Sequence, residues 1–473
     1  MSTFSGLNAA TTALWANRRG LDVTGQNIAN VNTEGYSRQR VDLAAIGGST
    51  VPAFFSTSSG IGQGVNADGV IHIRDAFLEG RGHTEHSNLS QMVAETDAYE
   101  LVEQAFREPG NTGMQKMLTE MWNGWQDVAN NPADPAARGQ VLKRMETLVG
   151  GMHFAQEQLS GQWDQTRDNL SVLVDDVNAA AANIAQLNVA IQRATQSGLP
   201  ANDLSDQRDV LVMKLADQVG ATVRQGKDGV LDVSVGGMSL VSGGTPTKFA
   251  LAGTNDPDGT KGAPDSAVTG PLRIATAVGG FNVRVGGTSA GQLNTLNTIL
   301  PGYRGQLDEM AFTLSETLNA AHGQGYDLTG AQGGQLIGSP DGSKVTATNI
   351  KVMITSTDRL AASGVPGAAN LDRGNADRIA QLAKAPNGID IGYRKMIVEL
   401  GVQSAVSQRN LDIQTSITTT IDAARESVAG VNLDEELTNM LSYQQAYAAA
   451  GRMVTALDEA LDVLINRTGL VGR

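Results

Sequence analysis

Leu7, Leu14, Leu21 and Ile28 recur every seven residues near one end of this sequence, and Leu433, Met440, Tyr447, Val454 and Leu461 do the same near the other. Such a recurrence aligns side chains along one line of a helix, so both stretches are predicted helices, over about 3–30 and 432–466. Phe4, Ala10 and Thr11 lie beside the first line; Leu437, Leu457 and Leu464 flank the second. One or two apolar residues per heptad make a seam for another helix, too narrow for a core face. The first helix would be roughly 40 Å long at 1.5 Å per residue. Residues 1–40 carry four arginines against two acids, and residues 434–473 carry three arginines against six acids. Opposite charge therefore weakly favours pairing of the two ends, an effect that salt screens. An isolated pair of this kind is marginal in water. The expectation is that both ends are largely unfolded in a free monomer and order on assembly, leaving a protease-resistant fragment of roughly 60–430.

Between the ends the pattern changes twice. "YSRQRVDL" (Tyr36–Leu43) alternates like a short strand, 47–69 is a Gly-, Ser- and Thr-rich extended stretch, and "GVIHIRDAFL" is a strand running into a helix from about Asp75. A helical pattern then holds from His83 to Val219. Its best face is Leu170, Val174, Val177, Ala181, Ile184, Leu187 and Ile191, an intramolecular seam on a helix expected to begin near Gly161. Asn202 or Asp203 caps a further helix, Leu204–Gln218. From 219 to 290 period-two alternation between Gly-rich turns marks a small β-rich region. Helix returns over Ser289–His322, with a break expected at Pro301; strands are expected between 323 and 356, and helix again from about Asn375 and over Asp390–Arg425. The fold class is multidomain α+β: long terminal coiled-coil-type helices, a helical-bundle middle domain and a small β-rich outer domain. The expected division is 1–60 with 431–473 for the terminal helical region, 61–218 with 291–325 and 373–430 for the helical domain, and 219–290 with 326–372 for the β-rich domain.

The 473 residues have ordinary apolar content (41%) but few aromatics (4%), and carry a net charge of -14. That charge argues against coating nucleic acid, because neutralising phosphates needs a basic surface. Zero cysteines exclude thiolate metal sites, disulfides and a cysteine nucleophile. There is no basic-then-apolar cleavable leader and no apolar run long enough to span a bilayer, so no membrane insertion is expected.

No catalytic constellation emerges. "HTEH" at 83–86 offers two imidazoles without a third ligand and reads as two solvated histidines. "GSPDGSK" at 338–344 has the wrong spacing for a phosphate loop and reads as a hairpin turn. "NDPDGT" at 255–260 lacks the bidentate glutamate of a calcium loop and reads as a turn, while "GIGQGV" at 60–65 reads as a loop. The paired acids Asp175–Asp176 and Glu435–Glu436 read as solvated charge or as first-turn acids favoured by the helix dipole. Neither an enzyme nor a cofactor is expected.

One stretch fits none of these classes. "GLDVTGQNIANVNTEGYSRQR" (Gly20–Arg40) collects Asn, Gln and Thr side chains with neither core-like apolar density nor a reactive cluster. It resembles the N-terminal signature of bacterial flagellar rod, hook and hook-associated proteins, through Asn27, Ile28, Ala29, Asn30, Asn32, Thr33, Gly35 and Tyr36. "GVNLDEELTNMLSYQQAYAAAGRMVTALDEALDVLINR" looks like the matching tail. "GYSRQRV", "NLDEEL…YQQAY" and "LPGYRGQLDEMAFTLSETLNAAHGQGYDLTG" are closest to the hook-associated protein 1 family of hook–filament junction proteins.

The resemblance implies a secreted axial protein of the extracellular flagellum, exported by the type III route, with terminal helices in an inner tube, a helical intermediate domain and an outer β-domain. The chain is short for that family, which implies a reduced outer domain. Implied partners are copies of itself, the hook protein, the next junction protein and a cytoplasmic export chaperone. Amides such as Asn27, Asn30 and Asn32 can bond to neighbouring subunits without the desolvation cost of buried charge. The expected assembly interface is Leu7, Leu14, Leu21, Asn27, Ile28, Asn30, Asn32 and Tyr36 with Leu433, Leu437, Met440, Tyr447, Val454, Leu457, Leu461 and Leu464. The alternatives are a hook or distal rod protein and, from another class, a secreted glycan-binding adhesin acting through 219–290.

Overall fold

The computed structural model describes residues 3–47, 64–257, 270–367, 369 and 371–467, with the side chains of 3–5 and 467 outside that description. The side chain of Phe4, most of "GIGQGV" and the second half of "NDPDGT" therefore lie outside that description. Two compact units share the chain: the first holds 1–86, 178–247 and 416–473, the second 87–177 and 248–415.

In the first unit, helix α1 (Thr3–Ala29) runs beside helix α10 (Leu433–Asp462). Asn432 starts α10 by accepting from the backbone N–H groups of Asp434 and Glu435 through its side chain, satisfying donors a helix start leaves open. After α1, strands β1 (Gln39–Ala45) and β2 (Val65–His72) pair antiparallel. Helix α2 (Ala76–Phe106) starts behind Asp75, whose carboxylate caps the N–H groups of Phe77 and Leu78. The end of α4 (Pro135–Gln196) and α5 (Asn202–Val219) support a four-stranded antiparallel sheet, β3 (Ala221–Gln225), β4 (Leu231–Val235), β5 (Met238–Ser242) and β6 (Thr245–Pro246). Asn188, fully buried on α4, locks that sheet down. Its amide donates to the carbonyls of Leu231 and Gly243 and accepts from Leu231 N–H and the Arg208 guanidinium.

The second unit contains helix α3 (Met114–Asn130), most of α2 and α4, the hairpin β7 (Phe249–Ala252) and β8 (Arg273–Thr276), helices α6 (Gly287–Asn294) and α7 (Leu300–His322), the short pair β9 (Ile337–Gly338) and β10 (Lys351–Val352), α8 (Gly374–Gln381) and the first part of α9 (Ile389–Ala429). The β-rich stretch 219–290 is thus shared, its sheet in the first unit and its hairpin in the second. Trp125 and Trp163 are buried with Leu118, Met121, Met145, Leu148 and Met152. Trp163 N–H finds the carbonyl of Leu296, and Phe106 meets Tyr303 and Tyr393 edge-on at 6.4 Å, a favoured aromatic geometry.

Several expectations need correction. Helix α4 begins at Pro135 rather than near Gly161. Its seam residues Leu170, Val174, Val177, Ala181, Ile184 and Ile191 are buried and Leu187 is half-buried. Pro301 does not break its helix: α6 passes into α7 through one π-helical turn, Thr295–Ile299, and the proline sits in the first turn of α7. Between 323 and 356 only β9 and β10 are strands, two residues each. The "GSPDGSK" turn joins them, with the Asp341 carboxylate accepting from Ser339 and Ser343 hydroxyls and Gly342 at φ +73°. The two histidines of "HTEH" are not solvated. His83 is buried, which lowers its pKa, and His86 lies between Asp217 of α5 at 3.4 Å and Asp422 of α9 at 3.0 Å. The Asp217 hydrogen bond, then Asp422, raises the His86 pKa against its partial burial.

Candidate functional site

Helices α1 and α10 lie antiparallel, and their register can be read from close approaches. Gly6 faces Leu457, Gly20 faces Tyr443, and Asn27 faces Glu436. Each advance of two heptads, then one, along α1 is an equal retreat along α10. A methyl at Gly20 would sit 2.7 Å from the Tyr443 ring, so the absent side chain sets how near the helices come.

The seam differs from the heptad expectation. On α1 the fully buried positions are Ala10, Ala16, Gly20, Thr24 and Asn27, whereas Leu7, Leu14, Leu21 and Ile28 are half-buried. On α10 the line Glu436, Tyr443, Ala450 and Leu457 faces inward, with Met440, Val454 and Leu461 half-buried beside it. Leu433, Leu437, Tyr447 and Leu464 are exposed, Leu437 by 51% and Leu464 by 53%. Small residues let two backbones approach, so the larger apolar side chains are pushed to the flanks, where a single chain cannot cover them.

A polar clasp closes one end of the hairpin. Asn27 is 1% exposed and uses its whole amide inside the chain. Its Nδ2 donates to Gln39 O at 2.9 Å and to Glu436 Oε2 at 3.1 Å; its Oδ1 accepts from Tyr36 O–H at 2.8 Å and Gln39 N–H at 3.0 Å. In the single chain, Asn27 thus has both amide hydrogens and its carbonyl oxygen engaged within the chain. Arg38 donates through Nε to Glu436 at 2.7 Å and through Nη1 to Glu435 at 2.6 Å, and its backbone N–H reaches Ala429 O. Glu436 is one of the first-turn acids of α10, as one of the two readings had it, but at 2% exposure it is buried and paired as burial demands rather than solvated. Burial, then Asp206, Asp203 and Glu436, push the Tyr36 hydroxyl up to about 12.

The remaining signature residues shape the turn after α1. Thr33 hydrogen-bonds Asn30, Asn30 is half-buried, and Asn32 is exposed. Gly35 takes φ +76° and lies against Val210 of α5 so closely that a Cβ would enter the valine methyl; both facts demand glycine. Arg74, after β2, donates to Ser37 and Asp206 and pairs with Asp209, tying this turn to α5. A cleft of about 870 Å³ opens between the turn, α4 and α5. Sequence reasoning named Asn27 and Tyr36 but gave no role to Arg38 or Gln39 and read Glu436 only as a solvated or first-turn acid; the bonds from Asn27 and Arg38 to Glu436 span about four hundred residues of chain and leave no periodic trace. Among the described residues no group of histidines and acids is arranged to hold a metal, and no helix is long and apolar enough to cross a membrane.

Comparison with known proteins gives the family. Residues 99–337 match the model of the flagellar hook-associated protein FlgK helical domain, 7–36 that of the flagella basal body rod protein, and 424–467 that of the flagellar basal body rod FlgEFG protein C-terminal region. The chain is 30% identical over 513 aligned positions to flagellar hook-associated protein 1 of Bacillus subtilis, covering 100% of both. It is 25% identical to flagellar hook-associated protein 1 of Escherichia coli over 98% of each. The structure of the flagellar hook junction protein FlgK from Burkholderia pseudomallei superposes with a TM-score of 0.61 at 18% identity, over 75% of this chain and 100% of that one. The two rod-protein matches fall on the two helices that the clasp joins, and on these matches the chain belongs to the flagellar hook-associated protein 1 (FlgK) family.

Proposed function

We propose that this chain is a non-enzymatic structural adaptor that joins hook to filament outside the cell. The observation that carries the reading is the antiparallel hairpin of α1 and α10, clasped at Asn27, Arg38 and Glu436, in a chain whose relatives are hook-associated over their whole length. The hairpin leaves Leu433, Leu437, Tyr447 and Leu464 exposed and Leu7, Leu14, Leu21, Ile28, Met440, Val454, Leu457 and Leu461 partly so. Copies of the chain cover these flanks on assembly, through heterologous contacts of the kind that build helical tubes. Residues 1–60 and 431–473 form the inner tube. Residues 61–218, 291–325 and 373–430 form an intermediate helical domain, and 219–290 with 326–372 an outer β-rich domain. The hook protein lies on one side and the next junction protein on the other, and an export chaperone holds the chain before secretion through the flagellar apparatus.

Deleting the gene tests this. Electron microscopy should show bare hooks, and the culture medium should contain free filament protein. Loss of hooks as well would point to a hook or rod component, and normal flagella would remove the axial reading.

A further inference from the structure

A cleft of about 870 Å³ lies beside the signature turn. Among amide and hydroxyl side chains, its lining includes the apolar Leu187 and Ala190 of α4 and Val210 and Leu211 of α5, and the acids Glu34 and Asp203. Both of these acids are exposed and neither has an ion-pair partner among the described residues. In the wall, the buried Asp206 meets Arg74 and His72 through Oδ1, while among the described residues no group donates to its Oδ2. The nearby basic groups are committed elsewhere: Arg38 to Glu435 and Glu436, Arg74 to Ser37, Asp206 and Asp209, Arg208 to Asn188 and Gly229. The cleft thus sets acids beside apolar side chains, and no described residue fills it.

A complementary feature stands on α1. Trp15 is 79% exposed, whereas Trp122, Trp125 and Trp163 are buried. Arg18, one turn on, is exposed and has no acidic partner among the described residues. Trp and Arg, with Tyr, are enriched among the residues that carry protein–protein binding energy, and an aromatic ring beside a guanidinium matches apolar side chains beside carboxylates. We propose that Trp15 and Arg18 of one copy enter this cleft on a second copy, Trp15 against Val210 and Leu211 and Arg18 against Glu34 and Asp203. Knob and cleft are different surfaces, so the contact is heterologous and propagates head to tail. This rests on the self-assembling reading above and names one of its contacts.

The absence of native cysteine makes the test clean. Flagella are prepared from cells expressing the full chain with Trp15→Cys and Gln207→Cys, the latter at the cleft, and oxidised. A ladder of trimers and longer multimers is expected, while each single-cysteine chain gives none. Dimers alone, or no crosslink in flagella that contain the protein, overturn the proposal. Independently, Arg18→Glu should lower filament number per cell about tenfold, because two like charges replace an attraction. Adding Asp203→Arg should restore it to within about twofold, since the pair is then re-formed with its signs exchanged. Failure of that rescue, with Arg18→Glu chains still exported, refutes the contact but not self-assembly; absence of the unmodified protein from flagella refutes both.

Discussion

Replacing Glu436 by alanine isolates the clasp. The carboxylate is 2% exposed and accepts from Arg38 Nε at 2.7 Å and Asn27 Nδ2 at 3.1 Å. Its removal forfeits a charge-assisted bond and orphans one Asn27 donor, while the other Asn27 bonds persist. Each loss costs about 1–3 kcal/mol. Arg38 keeps Glu435, so the total belongs at the low end of the range for a broken buried pair, about 3 kcal/mol. Glu436→Gln is no remedy. Its NH₂ must face a donor on either Arg38 or Asn27, and turning Asn27 round would break its bonds to Tyr36 and Gln39. We expect a loss of about 2 kcal/mol for glutamine. Hydrogen exchange of the full-length chain reads this directly: amides of α10 near Glu436 should exchange about a hundredfold faster in Glu436→Ala, with the second unit unchanged. Asn27→Ala should be non-additive with it by about 1 kcal/mol or more, because both remove the same bond. Unchanged α10 exchange, or strict additivity, would refute the reasoning.

Other expectations follow from close packing and charge. Gly291→Ala places a methyl 2.6 Å from the Gln91 carbonyl and 2.8 Å from Ala94; overpacking outweighs the helix-propensity gain and should cost the second unit about 1–2 kcal/mol in denaturant titration. His86 has a folded-state pKa above its ordinary value of 6.5, through Asp217 and then Asp422, so its contribution is present below 6.5 and lost as pH rises through the raised value. Arg425 also faces Asp422, and His83 and Glu79 lie on the same helix as His86. His86→Ala should therefore destabilise the first unit more at pH 6 than at pH 8.5, by under about 1 kcal/mol since both acids are more than a third exposed. Equal losses at the two pH values would contradict that. Gly20→Ala should weaken the hairpin, seen as faster cleavage within α10 in limited proteolysis, because Tyr443 occupies the place of the added methyl.

The long helices were legible because periodicity survives in a single sequence: α1, α5, α9 and α10 begin and end within a few residues of expectation. The stretch of α4 before Gly161 read as helical, but its continuity with the rest did not, because Gly150, Gly151 and Gly161 argue locally against helix. In the structure Gly151 gives the Met117 sulfur room to approach, a Cβ there falling 2.6 Å from it, so packing overrides propensity. Glycine also hid the seam. The heptad leucines mark the right helices and nearly the right face, but the line of closest contact runs through Ala16, Gly20 and Thr24, residues no apolar count would select. The clasp was half legible. The amides of the signature invite a polar role, yet nothing in a single chain links Asn27 to an acid at 436. A buried glutamate in the first turn of a helix has the same sequence appearance as a solvated one.

The central claim is a place: the boundary between hook and filament. Val278 is 87% exposed, and with no native cysteine a Val278→Cys chain carries one thiol for maleimide-linked gold. On flagella from motile cells expressing this variant, electron microscopy should show gold as one narrow band where hook meets filament. Gold spread along the hook or along the filament would contradict the account.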